Sequence, residues 1–264
     1  MQNMSKTVLI TGASSGIGFE LALLASAAGY NVIGVGRDTA RLEAALKMIK
    51  AAGSAEITAV ISDLSTSDGV TELLRHLGSR QIDILINNAG YGQYAALADA
   101  TWSKQQGLLN LNILALTRLT EEILPQMLSR NSGRILNVGS IAGFYPGPLL
   151  ATYYASKAYV NSFSQAIAEE LRGTRVTLTL LCPGLTATGF VERGNLEGSN
   201  MLSLLPMQAS EVARIGWEGM LSGKRMVVPG MQNSLTVFGS RFLSRPLAAW
   251  IMHRVNRKPV DKPA

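Results

Sequence analysis

At 264 residues, 47 % apolar and only 16 % charged, the chain has material for one large core and too little for two generous domains. Its net charge of +6 is lopsided: residues 224–264 carry eight Lys or Arg and one Asp, a net +7, so residues 1–223 sum to −1. The basic balance belongs to the C-terminal segment, and a nucleic-acid reading of the whole chain has no basis.

The first strand-like run, residues 7–10, leads straight into Thr11-Gly12-Ala13-Ser14-Ser15-Gly16-Ile17-Gly18 and then into a helical pattern through Leu21, Leu24, Ala25 and Ala28. Strand, glycine turn and helix in that order let a dinucleotide pyrophosphate approach bare backbone and meet a helix N-terminus. Gly12 to Gly16 also satisfies G-x-S-x-G, the nucleophile elbow of serine hydrolases. That reading fails on chain order: no loop precedes the strand to supply an oxyanion donor, and only His76 or His253 follows. The same two isolated histidines argue against a metal site. An early strand leaves no room for a signal peptide, and no apolar run approaches the ~20 residues of a membrane span.

Further strand-like runs at 31–35, 57–61, 82–86, 135–138, 176–181 and near 226–228 alternate with helical patterns, two of them with Asp38 and Ser67 as N-caps. Such alternation requires a parallel sheet with helices on both faces. Asn112 stands in the apolar helix segment Leu111-Asn112-Ile113-Leu114, where a polar side chain needs a partner. Ser140 lies thirteen residues before Tyr153-Tyr154-Ala155-Ser156-Lys157. Tyr153 and Lys157, four apart, share a helix face, and a neighbouring ammonium favours the phenolate. Alone, such a pair usually only covers a helix surface. Cys182, the single cysteine, cannot form an intramolecular disulfide and points to a reducing compartment, with burial at a strand end as its role. Residues 189–209, rich in Gly, Asn, Leu and Met, read as a flap.

Together these motifs resemble the short-chain dehydrogenase/reductase family in its single-domain form, over nearly the whole chain through Thr188. The resemblance implies a doubly wound, Rossmann-type sheet of about seven strands in the order 3-2-1-4-5-6-7, with its ligand crevice at the strands' carboxyl ends. It implies that Tyr153 is the general acid/base, that Lys157 tunes it and holds the nicotinamide ribose, and that Ser140 holds the substrate oxygen. Asn112 then opens its helix and holds a water linking Lys157 to solvent. The implied cofactor contacts are Gly12, Ser14, Ser15, Gly16, Ile17, Gly18, Arg37, Asp63, Leu64, Asn88, Ala89, Gly90, Tyr153, Lys157, Pro183, Gly184, Thr186 and Thr188. Ala115 departs from the pattern, which often has glycine there.

NAD-preferring relatives usually end the second strand on a carboxylate; here it ends Gly34-Val35-Gly36-Arg37. Arg37 can meet a 2′-phosphate with a forked, charge-assisted contact, so NADP(H) is expected over NAD(H). The expected activity is hydride transfer between nicotinamide and a carbonyl or secondary alcohol. The alternative is a catalytically silent NADP(H)-binding sensor, disfavoured because all four catalytic side chains are present. Tyr94, Phe144, Tyr145 and Pro146, with Met201, Leu202, Leu204, Leu205 and Met207, suggest a hydrophobic substrate. A cytoplasmic homodimer or homotetramer is expected.

Residues 1–230 form the expected catalytic domain and 231–264 a basic amphipathic extension, split into two short helices at Pro246. The extension has three readings: a cover for the flap, a subunit interface, or a peripheral contact with an anionic membrane. Packing against protein is the expectation, since apolar helical stripes are usually buried.

Overall fold

The computed structural model describes residues 6–53, 56–189, 194, 200 and 205–258. Among the described residues nine strands occur in chain order: β1 (Thr7–Thr11), β2 (Asn31–Gly36), β3 (Ile57–Ile61), β4 (Ile84–Asn87), β5 (Gly133–Val138), β6 (Val176–Leu181), β7 (Thr186–Ala187), β8 (Met207–Gln208) and β9 (Met226–Val227). Seven of them build one parallel sheet in the order β3-β2-β1-β4-β5-β6-β9. This is the expected sheet, with its last place taken by β9. The short β7 and β8 pair with each other instead, Thr186 opposite Met207, and so hold the two ends of the intervening segment side by side.

The helices are α1 (Gly16–Ala27), α2 (Thr39–Ala52), α3 (Ser67–Leu77), α4 (Trp102–Leu109), α5 (Leu116–Ser129), α6 (Ala151–Glu170), α7 (Ala209–Leu221), α8 (Met231–Gly239) and α9 (Arg245–Asn256). Period-two alternation in β1 decides which layer each covers. Val8 and Ile10 join Leu21 of α1, Leu42 of α2 and Trp217 of α7 on one face. Leu9 joins Leu73 of α3, Leu119 of α5 and Ala168 of α6 on the other. Both faces are covered, which is why the strands read as near-continuous apolar runs.

Asp38 caps α2 as expected, its carboxylate accepting from the Arg41 N–H at 3.0 Å. For α3 the expectation is corrected by one residue. Thr66, in an extended conformation, accepts from the Gly69 N–H at 3.0 Å, and Ser67 is already helical. In the extension, Pro246 lies in the first turn of α9, where its missing N–H costs no helical bond.

Candidate active site

The βα turn after β1 is shaped by glycines at two left-handed positions, Gly12 (φ +70°) and Gly16 (φ +57°). A Cβ on Gly12 would lie 2.9 Å from the Asn88 amide nitrogen, and one on Gly16 would lie 2.8 Å from Thr188 Cγ2. No side chain caps α1 and no acid occupies its first turn, so its leading N–H groups present positive character beside Ser15, Gly16 and Ile17. This is a cradle for an anion such as a pyrophosphate.

The segment after β4 is fastened to that turn. The N–H groups of Asn88 and Ala89 each donate to Thr11 Oγ1 at 3.0 Å, and the Asn88 amide donates to the carbonyls of Thr11 (2.9 Å) and Gly12 (3.2 Å). Beneath it, buried Asn87 donates to Thr120 Oγ1 (3.1 Å) and to Asn137 Oδ1 (2.9 Å), linking β4 to α5 and β5.

At the outer end of β2, Arg37 shares the rim with Asp63, Arg41 and Tyr91. Burial opposes ionisation of Asp63, but hydrogen bonds from Ser65 and the Arg37 cation outweigh it and hold the carboxyl below its ordinary range. The Asp38 carboxylate is committed to capping α2. β2 ends on Gly36 with no acid of its own, and Arg37 lines the rim together with Asp38 and Asp63.

The chemistry-bearing residues come from β5 and α6. Ser140 begins the turn after β5, with its hydroxyl accepting from Ala142 N–H at 3.0 Å. Tyr153 is hydrogen-bonded to Ser140; burial above all raises its phenol pKa, against the lowering effect of that bond. The Lys157 ammonium donates to the Val138 carbonyl at 2.8 Å and lies 6.0 Å from the Tyr153 ring centre. Burial pulls its pKa down to about 8. The expected lowering of the phenol by this lysine is thus not seen: desolvation dominates the tyrosine. Tyr154 also lines the cavity, but its hydroxyl donates to Asn256 Oδ1 at 3.0 Å.

Asn112 occupies a π-helical turn, Asn110–Ala115, between α4 and α5. Its amide grips the Tyr91 backbone at both N–H (3.2 Å) and C=O (3.1 Å) and donates to Ser156 Oγ at 3.0 Å. Ser156 in turn donates to the Tyr153 carbonyl at 2.7 Å. Asn112 thus links the Gly90–Tyr91 loop to α6. Ala115, the last residue of that π-helical turn, is buried.

One cavity of about 720 Å³ unites these parts. Gly12, Ser14, Ser15, Gly16, Ile17, Arg37, Asp63, Leu64, Asn88, Ala89, Gly90, Ser140, Tyr153, Lys157, Pro183, Gly184, Thr186 and Thr188 all line it. Gly18 and Asn112 do not. Gly18 is a packing position, where a Cβ would sit 2.3 Å from both the Asn88 amide and the Gly12 carbonyl.

Of the apolar candidates, Tyr145, Leu205 and Met207 line the cavity. Tyr94, Phe144 and Pro146 are not on its wall; Tyr94 instead packs under Lys258, whose Nζ is 5.1 Å from its ring centre. Met201, Leu202 and Leu204 lie outside the described residues. The sequence reading missed Asn161, whose amide donates to the Ser140 carbonyl at 2.9 Å and whose oxygen accepts from Ser140 N–H at 3.4 Å. Its register was available: Tyr153, Lys157 and Asn161 recur every four residues on α6. Buried Cys182 contacts the same asparagine at 3.7 Å, with its thiol pushed up to about 12 chiefly by burial.

A profile of the short chain dehydrogenase family matches residues 6–197. A 3-oxoacyl-[acyl-carrier-protein] reductase of Synechocystis is 33 % identical over 216 residues, 79 % of this chain and 86 % of that one. A short-chain dehydrogenase from Sphingobium yanoikuyae solved with NADPH superposes with a TM-score of 0.80 at 30 % identity, over 90 % of this chain and 94 % of that one. A Burkholderia phymatum member of the family solved with NAD has the same fold, with a TM-score of 0.81 at 24 % identity, over 98 % of both chains. The chain belongs to the short-chain dehydrogenase/reductase family and is an oxidoreductase acting on CH–OH or C=O groups with a nicotinamide cofactor.

Proposed function

We propose that this enzyme is an NADP(H)-dependent reductase or dehydrogenase of apolar carbonyl compounds and their secondary alcohols, with Tyr153 as its general acid/base. The observation that carries the proposal is the joining, in one cavity, of the glycine cradle, Arg37 and the Ser140–Tyr153–Lys157 group. The residues fit a dinucleotide: Gly12, Ser14, Ser15, Gly16 and Ile17 line the cavity at the uncapped start of α1, where a pyrophosphate could meet backbone N–H groups, and Arg37 lines its rim, where a 2′-phosphate would end. When bound, that cofactor supplies the hydride.

The chain's own residues do the rest. Ser140 donates to the substrate oxygen and keeps it against the Tyr153 hydroxyl. Tyr153 gives its proton to that oxygen as negative charge develops there, or takes it in the reverse direction. Its raised pKa keeps the phenol protonated, which suits the acid role. Lys157, held by the Val138 carbonyl, lies where it can contact the ribose hydroxyls and place a positive charge near the phenol. The apolar end of the cavity, formed by Tyr145, Leu150, Met207, Met231, Met252 and Val255, favours a hydrophobic substrate and excludes water. Residues 1–230 would carry the cofactor cradle and the reacting group, with Met231, Met252 and Val255 of the extension completing the substrate end, and the enzyme would act as a homodimer or homotetramer in the cytoplasm.

The test is NADPH and NADH consumption with a panel of apolar ketones, together with fluorescence titration of both cofactors, for the wild type and Arg37→Asp. We expect NADPH to bind more tightly and Arg37→Asp to lose about 1.5–3 kcal/mol of that affinity, the worth of a charge-assisted phosphate contact. Equal affinities in the wild type would overturn the cofactor assignment.

A further inference from the structure

α8 and α9 have inner and outer faces of different character. Inward, the Tyr145 hydroxyl donates to the Thr236 carbonyl, Val237 and Ala248 are buried, and fully buried Asn256 donates to the Pro148 carbonyl at 2.9 Å. The extension also holds Asn200, which donates to the Arg254 and Arg257 carbonyls at 2.9 and 3.1 Å. So the two helices are already packed on the body of the protein, and among the described residues nothing covers their outer faces.

Outward, Met231, Leu235, Phe238 and Phe242 recur at helical spacing and leave between 56 and 80 % of their surface exposed. Phe238 and Phe242 meet edge to face at 5.3 Å, extending one aromatic patch past the end of α8. Cations frame it: the Arg241 guanidinium lies 5.9 Å from the Phe238 ring centre, and on α9 Arg254 stacks 4.2 Å from exposed Trp250. Between residues 231 and 258 there are five Lys or Arg and no Asp or Glu.

Charge selects among the possible occupants. A second copy meeting this face across a two-fold axis would bring arginines against arginines, with no carboxylate in the stretch to pair them. An anionic bilayer accepts both features at once. Aromatic rings settle at the boundary of headgroup and acyl chain, and guanidinium groups reach the phosphates. We propose that the outer face of α8 and the turn leading to α9 dock on an anionic lipid surface, with Phe238 and Phe242 inserted and Arg241 and Arg245 at the headgroups. Met231 belongs both to the exposed stripe and to the cavity wall. Docking would therefore set the cavity mouth at the edge of the lipid, whatever reaction the cavity performs.

The experiment is co-sedimentation of the full chain with phosphatidylcholine vesicles, with and without phosphatidylglycerol, at low and high salt. Variants Phe238→Glu/Phe242→Glu and Arg241→Glu/Arg245→Glu are compared, with Tm and NADPH affinity as controls of folding. The expected result is binding to phosphatidylglycerol vesicles alone, released by salt, lost in the double Phe variant and about tenfold or more weaker in the double Arg variant. Unchanged Tm and cofactor affinity would accompany it. Absence of wild-type binding, equal binding to neutral vesicles, or retention in both variants would overturn the proposal. So would a wild-type oligomer that the double Phe variant breaks apart without any vesicle binding, which would make the face a subunit interface.

Discussion

Lys157 shows at the residue scale what burial costs and provides. Its pKa near 8 lies below the ordinary lysine value, because the cation is desolvated. From about pH 8 upward the folded chain gives up this proton before the unfolded chain does. In that window the unfolded state binds more protons, so stability contributed by this group rises with pH. Cys182 and Tyr153 act in the opposite sense at higher pH, since their raised pKa values keep protons that the unfolded chain would release. The opposing contribution of Cys182 grows as pH approaches the ordinary thiol value of 9, so the clean window is about pH 7.5 to 8.5. Thermal denaturation there should show Tm rising with pH in the wild type and less so in Lys157→Met. A flat wild-type profile would mean that the ammonium is better solvated than its surroundings indicate.

At the scale of elements, the βα turn after β1 is the unit on which the cofactor cradle depends. Gly18→Ala should destabilise the chain by roughly 1–3 kcal/mol, because its methyl would meet backbone and a fixed amide rather than a flexible side-chain tip. The same shift should weaken cofactor affinity although Gly18 is off the cavity wall; denaturant melts and cofactor titration measure the two effects. Unchanged stability would show that the turn yields more easily than its packing suggests. This turn was legible from sequence because glycine spacing and apolar periodicity are local signals. So were the strands of the main sheet and the Asp38 cap. Thr66 and Ser67, both able to cap, are not distinguished by residue type; backbone path selects Thr66. The β7–β8 pair was hidden because two residues a side leave no period to read. The role of Asn112 as a link between loop and helix was hidden too, since its partners are backbone groups of Tyr91 and the hydroxyl of Ser156, distant in sequence.

For the whole molecule, the last residues complete a wall that the family signatures do not reach. Tyr154 also lines the cavity, but its hydroxyl is engaged by Asn256, 102 positions later. Motif register points to Tyr153, and the structure adds that the two hydroxyls have different partners, Ser140 for Tyr153 and Asn256 for Tyr154. The charge asymmetry was equally visible, whereas the division of α8 and α9 into a packed face and a spare one needed the tertiary contacts. The account's central claim is that one phenol, in one cavity, moves the proton. It is tested most directly by single-turnover oxidation of NADPH with an apolar ketone that the wild type accepts, comparing Tyr153→Phe with Tyr154→Phe. Tyr153→Phe should bind NADPH nearly as the wild type does yet lose about 10²-fold or more in rate, the usual worth of a general acid. Tyr154→Phe should keep its rate while losing about 1 kcal/mol of stability with the Asn256 hydrogen bond. An active Tyr153→Phe, or a dead but folded Tyr154→Phe, would contradict the account.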